Sequence, residues 1–166
     1  MDVENFALNR GLFYFINQKR HPLLDVFYKY FYLFGKGWFG FFVGALLLLT
    51  GSKLFLKYLL TMTLQTLVVK LLKYTVRAKR PSHVFDDVYL LERLKLKSFP
   101  SGDTAMSTSI ALCLFESSQT WLKPLLFLYP VLIGYGRVYM GAHFPLDVFT
   151  GWVIGVLCFI VISILL

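Results

Sequence analysis

The chain has 166 residues, of which 57% are hydrophobic and 16% charged, whereas soluble domains carry about 45–50% apolar and about 25% charged residues. A soluble protein of this length has too little interior to bury so much apolar surface. The composition therefore excludes an ordinary soluble domain and indicates a single integral-membrane domain over residues 1–166. The net charge of +8 fits contact with membrane lipids and an anionic lipid rather than with nucleic acid, because no polar fold presents that charge.

Residues 1–36 predict an amphipathic segment that lies in the membrane interface. Apolar and polar side chains are interleaved over residues 6–18, which is typical of an interfacial helix. His21-Pro22 interrupts the pattern. The apolar stretch that follows, residues 23–34, is either a second short interfacial helix or half of a membrane span.

Residues 37–166 predict the transmembrane core of an all-α bundle of about five to six helices. The helical stretches are residues 38–50, 54–73, 101–118, 124–139 and 145–166. The first is short for an upright span, which needs roughly 20 residues, and the last is the most clearly transmembrane. A polar connection, residues 74–100, separates the second stretch from the third. Cys113 and Cys158 fall inside apolar helices, so they are expected to be small core residues.

The first polar cluster is Lys73 and Arg80-Pro81. A spacing of seven residues is about two helical turns, so both cations point at one anion if the helix continues to Arg80. The guanidinium offers a planar fork for phosphate oxygens and the ammonium a point charge. The alternative is a belt of cations that snorkel at the end of a span.

The second cluster, Pro100-Ser101-Gly102-Asp103, precedes an apolar helix. Ser101 is a good N-cap residue, and Gly102 lets a ligand approach the backbone closely. A helix N-terminus with free N–H groups binds anions. The alternative is ordinary helix capping by Ser101 and Asp103.

The third cluster is Arg137, His143 and Asp147. Pro145 suits the first residue of the last helix, which places Asp147 in the first turn, within reach of His143. A carboxylate that accepts from one imidazole nitrogen leaves the other nitrogen free as a nucleophile. The alternative is a His–Asp pair that only caps the helix. When the spans are threaded in order, all three clusters fall on one membrane face.

The order and spacing of these clusters resemble the type 2 phosphatidic acid phosphatase family of membrane lipid phosphatases. Its motifs are Lys, six residues, Arg-Pro; Pro-Ser-Gly-His; and Ser-Arg, five residues, His, three residues, Asp. The chain matches them over residues 73–147 with two departures: Gly136 stands where the family has Ser, and Asp103 stands where it has a second His.

The resemblance implies a role for each matching residue. His143 forms a phosphohistidine and Asp147 orients it, while the phosphate is held by a set of five residues: Lys73, Arg80, Ser101, Gly102 and Arg137. Asp103 takes the position of the family's general acid. The family needs no metal and no other cofactor, and its bacterial members usually face the periplasm from the inner membrane.

The predicted function is hydrolysis of a lipid phosphate or diphosphate, including the 1-phosphate of lipid A, through this intermediate. Two alternatives stay open: a lipid phosphotransferase that uses the same intermediate, and a non-catalytic scaffold that binds lipid phosphate. A further expectation is that the basic residues Arg93, Lys95 and Lys97 either hold a large headgroup or form a lipid-surface belt. The positive-inside rule would place the basic connection 74–100 in the cytoplasm, whereas the resemblance places it outside.

Overall fold

The computed structural model describes residues 6–92 and 97–166, and within these ranges the regular structure is entirely helical. The seven α-helices are α1 (Ala7–Asn17), α2 (Pro22–Phe31), α3 (Gly37–Leu49), α4 (Leu54–Val76), α5 (Gly102–Phe115), α6 (Lys123–Tyr139) and α7 (Pro145–Leu165). Short 3-10 turns lie at Tyr32–Gly35, Pro81–His83 and Thr120–Leu122. Five of the α-helices fall within residues 37–166, which confirms the predicted all-α bundle.

Two helices in the described part of the chain, α4 and α7, are long and apolar enough to cross a membrane. A third span results if α2 and α3, which are bent by 52° at their junction, are counted together. The predicted spans 101–118 and 124–139 form helices of only 14 and 17 residues. At 1.5 Å per residue, α5 covers about 21 Å, less than the ~30 Å of a bilayer core. α5 is an inner helix, enclosed by α4, α6 and α7.

Glycines on α7 let its backbone approach α5 closely. A Cβ added to Gly151 would lie 2.6 Å from the carbonyl oxygen of Ser101, and one added to Gly155 would lie 2.6 Å from the Cβ of Thr108. Real Cβ atoms do not tolerate such distances, so both positions require glycine. This contact holds the N-terminus of α5 against the first turns of α7.

The N-terminal segment packs onto the α6–α7 connection through polar groups. Asn9 and Asn17 of α1 are both buried. The Asn9 side chain accepts a hydrogen bond from the Leu146 N–H (2.9 Å), and the Asn17 amide donates to the Tyr139 carbonyl (2.9 Å). Phe13 of α1 is buried in the core, whereas four other apolar side chains at or within α1 are exposed: Phe6, Leu8, Leu12 and Phe15. The outward face suits contact with lipid.

Candidate active site

Four helix ends meet at one end of the bundle and bring the three sequence clusters together. The Lys73 ammonium donates to the Pro100 carbonyl (2.8 Å), which joins the end of α4 to the start of α5. The Ser101 N–H donates to the Asp147 carbonyl (2.9 Å), which joins α5 to α7. Arg137, near the end of α6, lies 3.3 Å (Nε to Oδ2) from Asp103 on α5.

His143 and Asp147 form a buried pair at the start of α7. The imidazole Nδ1 lies 3.4 Å from Asp147 Oδ2. The same oxygen accepts from the Phe144 N–H (2.9 Å) and from the Ser98 hydroxyl (2.5 Å). The carboxylate is therefore fixed on two sides, and it sets the orientation of the imidazole.

The second imidazole nitrogen of His143 faces a buried cation. Its Nε2 lies 3.4 Å from a terminal nitrogen of Arg80. Burial, followed by the positive charges of Arg80 and Arg137, lowers the pKa of His143 well below its ordinary value. Burial also lowers the pKa of Arg80, to about 10, so the guanidinium is still charged at neutral pH. The site therefore holds a neutral imidazole beside a cation, as a nucleophile for an anionic substrate requires.

The expectation that Lys73 and Arg80 share one helix face is wrong. α4 ends at Val76, because Arg77 adopts a left-handed conformation (φ 53°) that terminates the helix. The chain turns back instead, and both cations donate to the carbonyl of Lys97, at 2.9 Å from Lys73 and 3.2 Å from Arg80. The two cations converge through the loop rather than through helical periodicity.

The Lys73 ammonium supports the loop that precedes α5. It donates to the carbonyl groups of Lys97 (2.9 Å), Ser98 (3.2 Å) and Pro100 (2.8 Å). An ammonium has three donors, and here each donor has a carbonyl partner. Lys73 therefore positions the segment that carries Ser98 and Ser101.

The start of α5 leaves backbone donors at the site. Ser101 is the N-cap residue, as predicted, but its hydroxyl contacts the Thr104 hydroxyl (2.8 Å) rather than a backbone N–H. α5 begins at Gly102, and a Cβ there would meet only Val69, at 3.4 Å. The amides at the N-terminus of α5 can therefore face an anion.

Arg137 lies in a charge cluster that includes two residues missed in the sequence, Lys36 and Glu92. The guanidinium is fully buried; one terminal nitrogen donates to Glu92 Oε2 (2.6 Å), and the other has no hydrogen-bond partner among the described residues. The Lys36 ammonium lies 2.8 Å from Glu92 and 3.1 Å from Asp103. Neither Lys36 nor Glu92 belongs to a sequence motif, so only the contacts reveal them.

Tyr28 explains why Gly136 stands where the resembling family has Ser. A Cβ at Gly136 would lie 2.4 Å from Cε1 of the Tyr28 ring. The aromatic side chain of α2 therefore packs directly on the backbone of α6. A serine at this position requires the ring to move, which disturbs the junction between α2 and the site.

Within residues 6–92 and 97–166, no group of three or more His, Cys, Asp or Glu side chains is arranged to hold a metal ion. Cys113 and Cys158 are both free and buried in the core. Two of the residues expected to contact a headgroup, Arg93 and Lys95, lie outside the described residues. Lys97 lies beside the site, where its carbonyl accepts from Lys73 and Arg80.

The sequence is similar to a known family and to characterised relatives. Residues 54–166 match the PAP2 superfamily model. The undecaprenyl-diphosphatase of Sulfolobus acidocaldarius is 30% identical over 92% of this chain and 75% of its own length. The dihydrosphingosine 1-phosphate phosphatase of Saccharomyces cerevisiae is 28% identical over 96% of this chain, which spans 43% of that larger protein.

Solved structures show the same architecture. The crystal structure of LpxE from Aquifex aeolicus superposes with a TM-score of 0.93 at 44% identity, covering 98% of this chain and 99% of LpxE. A PAP2-type phosphatidylglycerolphosphate phosphatase from Bacillus subtilis has the same fold, with a TM-score of 0.77 at 24% identity over 95% of this chain and 83% of its own. The chain belongs to the PAP2 superfamily and is a membrane lipid phosphatase.

Proposed function

We propose that this phosphatase removes phosphate from a lipid whose leaving group departs easily, namely a lipid diphosphate or an anomeric sugar 1-phosphate of the lipid A type. The observation that carries the proposal is the buried His143, held by Asp147 on one side and facing Arg80 on the other. A neutral, oriented imidazole beside a fixed cation is suited to attack phosphorus.

The reaction proceeds in two displacements. Asp147 holds the Nδ1–H of His143, so the Nε2 lone pair attacks phosphorus while the bond from phosphorus to the lipid oxygen breaks. The lipid leaves with that electron pair, and the phosphoryl group stays on Nε2. Water then attacks the phosphohistidine, releases inorganic phosphate and restores the imidazole.

Positive groups hold the phosphoryl oxygens throughout. Arg80 lies beside the nucleophile, Arg137 contributes a buried nitrogen without a hydrogen-bond partner among the described residues, and the amide of Gly102 opens α5. Ser101 and Lys73 keep these donors in place through the loop. Fixed donors of this kind stabilise the charge of the transition state. We infer that catalysis needs no metal, and that activity survives a chelator whereas vanadate inhibits.

Asp103 shapes the substrate preference. Its carboxylate lies 3.1 Å from the Lys36 ammonium and 3.3 Å from Arg137 Nε. A carboxylate that is held in ion pairs with two cations has no proton to give to a leaving oxygen. Substrates that leave without a proton are therefore preferred over phosphatidic acid, a simple alkyl phosphate. The name of one relative, an undecaprenyl-diphosphatase, supports this preference.

We place the protein in a bacterial inner membrane with the site facing the periplasm. The end of the bundle opposite the site carries Lys53, Lys57 and Lys123, which serve as the cytoplasmic positive charge. Arg80, a cation of the connection 74–100, is committed to the site instead.

The test is phosphate release by the purified protein from three lipids: a polyprenyl diphosphate, a lipid A type 1-phosphate and phosphatidic acid. We expect the first two to be faster, and Asp103→His to accelerate phosphatidic acid hydrolysis more than the others. A wild-type preference for phosphatidic acid that Asp103→His leaves unchanged would refute the leaving-group argument. Transfer of the phosphoryl group to a lipid alcohol, or binding without turnover, would support the phosphotransferase or the scaffold instead.

A further inference from the structure

We propose that Lys36, which belongs to no sequence motif, is a catalytic residue that stabilises the leaving-group oxygen of the substrate. The proposal rests on the phosphatase function proposed above and adds to it the group that replaces an acid at the leaving side. It follows from the fold around Lys36, from its ion pairs and from the geometry of displacement at phosphorus.

The fold presses the backbone before Lys36 against the site. Lys36 lies between the 3-10 turn Tyr32–Gly35 and α3, at the 52° bend of the α2–α3 pair. A Cβ at Gly35 would lie 3.0 Å from Ile133 of α6 and 3.3 Å from the Cβ of Asp103. Gly35 thus permits close contact with α5 and α6, and the bend directs the next side chain to the start of α5.

The ion pairs place the Lys36 ammonium beside Arg137. Glu92 and Asp103 each bridge the two cations: Glu92 lies 2.8 Å from Lys36 and 2.6 Å from Arg137, and Asp103 lies 3.1 Å and 3.3 Å from them. The Arg137 side chain is fully buried, whereas that of Lys36 is 22% exposed. The Lys36 ammonium therefore has room to stay in contact with the leaving group as it moves out of the site, whereas the enclosed Arg137 guanidinium does not.

Displacement at phosphorus requires the nucleophile and the leaving oxygen to be in line. His143 contacts Arg80, and neither Lys36 nor Asp103 contacts His143 directly. Arg137 links His143 to the Asp103–Lys36 pair. Its positive charge lowers the pKa of His143, and its guanidinium forms an ion pair with Asp103. A phosphate that is bound between Arg80 and Arg137 with His143 behind it therefore directs its leaving oxygen toward the Asp103–Lys36 pair.

Asp103 holds Lys36 in place while the ammonium supplies the positive charge. From a diphosphate, the lipid leaves as a monophosphate, and its additional negative charge is neutralised by the ammonium. From a sugar 1-phosphate, the ammonium stabilises the negative charge that develops on the departing oxygen, which takes its proton from solvent. The water that later attacks the phosphohistidine releases a proton, which balances the one taken up by the departing oxygen, and Lys36 stays charged throughout.

The experiment compares Lys36→Met and Lys36→Arg with wild type on two substrates, p-nitrophenyl phosphate and a lipid A type sugar 1-phosphate. The nitrophenolate leaves with little help, so we expect each variant to lose much less rate on the aryl substrate than on the lipid. On the lipid, Lys36→Met should lose about 100-fold, as expected when one transition-state donor is removed. Lys36→Arg should fall between Lys36→Met and wild type, because it keeps the positive charge but spreads it over a larger, planar group.

A matched control is Lys57→Met. Lys57 is also paired with a carboxylate (Glu116, 2.7 Å) but lies near the start of α4, at the opposite end of the bundle from the site. We expect Lys57→Met to leave the rates on the aryl substrate and on the lipid unchanged. Lys36→Arg retains the ion pairs, so it keeps the test decisive if Lys36→Met lowers the melting temperature.

Equal losses on both substrates in Lys36→Arg, or no loss in either Lys36 variant, would overturn the role of Lys36. The underlying function has a separate readout, because His143→Asn should abolish the rate on both substrates. If His143→Asn retains activity, the phosphohistidine mechanism fails regardless of the Lys36 result.

Discussion

Asp147 determines the chemistry of His143, since the imidazole has the correct tautomer only while this carboxylate is held still. The Phe144 N–H and the Ser98 hydroxyl fix the carboxylate oxygen that faces the imidazole. The structure thus adds Ser98, which no motif indicated, to the predicted His143–Asp147 pair. Ser98 lies in the loop before α5, far from Asp147 along the chain. No local sequence pattern therefore indicates this contact.

Removing the Ser98 hydroxyl should slow phosphate release without unfolding the protein. A hydrogen bond to a charged group contributes about 2 kcal/mol, so Ser98→Ala should lose about 30-fold in kcat. Asp147→Asn should lose about 10⁴-fold, as in other enzymes where the orienting carboxylate is replaced. Ser163→Ala is the control, because that hydroxyl bonds only the Phe159 carbonyl at the far end of α7. A Ser98→Ala variant as fast as the control would show that Asp147 does not depend on Ser98.

The pH dependence of kcat/KM should reflect the low pKa of His143. Burial and the nearby cations lower this pKa well below its ordinary value of 6.5, so the neutral nucleophile persists below pH 6.5. The rate should therefore stay constant as the pH falls through 6.5 and decline only at the lower folded-state pKa. Arg80→Gln should move this acid limb to higher pH, since it removes a positive charge near the imidazole. A wild-type acid limb centred near 6.5 would contradict this explanation.

The ends of four helices bring the site residues together, and the sequence predicts some of these ends better than others. Pro145 begins α7 and Ser101 precedes α5, as their local chemistry predicts. The end of α4 at Val76 lies three residues beyond the predicted span 54–73, and the left-handed conformation of Arg77 that stops the helix before Arg80 has no signature in that residue type. The contact between α5 and α7 was also not predicted, since the closeness of two helices depends on tertiary packing.

This contact should be as important for activity as the motifs themselves. Gly151→Ala places a methyl group 2.6 Å from the Ser101 carbonyl, which separates α5 from α7 and strains the Ser101–Asp147 hydrogen bond. We expect reduced kcat together with a lower melting temperature. Gly11→Ala on α1 is the matched control, because a Cβ there meets nothing within 4 Å. Similar melting temperatures and rates in the two variants would contradict the role of the α5–α7 contact.

At the scale of the whole molecule, all the site residues lie at one end of the bundle and therefore on one face of the membrane. The composition predicts the membrane location, and the order of the clusters predicts their shared face. The sequence does not predict the number of spans by length alone: within the described residues only α4 and α7 are long enough, and α5 is short because other helices surround it.

The proposed orientation can be tested by labelling single cysteines in intact cells with a membrane-impermeant thiol reagent. Asp86 is exposed on the connection at the site end, and Glu116 is exposed at the opposite end. Asp86→Cys should be labelled and Glu116→Cys protected, because the site faces the periplasm. The native cysteines, Cys113 and Cys158, are buried and should add little background. The reverse labelling pattern would place the site in the cytoplasm.

The central claim is that His143 carries the phosphoryl group, and trapping the intermediate tests it most directly. The purified enzyme is mixed with a lipid diphosphate whose terminal phosphate is radiolabelled, quenched in alkali within a turnover and analysed for label on the protein. Wild type should show acid-labile, alkali-stable label on His143, and His143→Asn should show none. Label that persists in His143→Asn, or full turnover by wild type with no labelled protein at any quench time, would contradict the account.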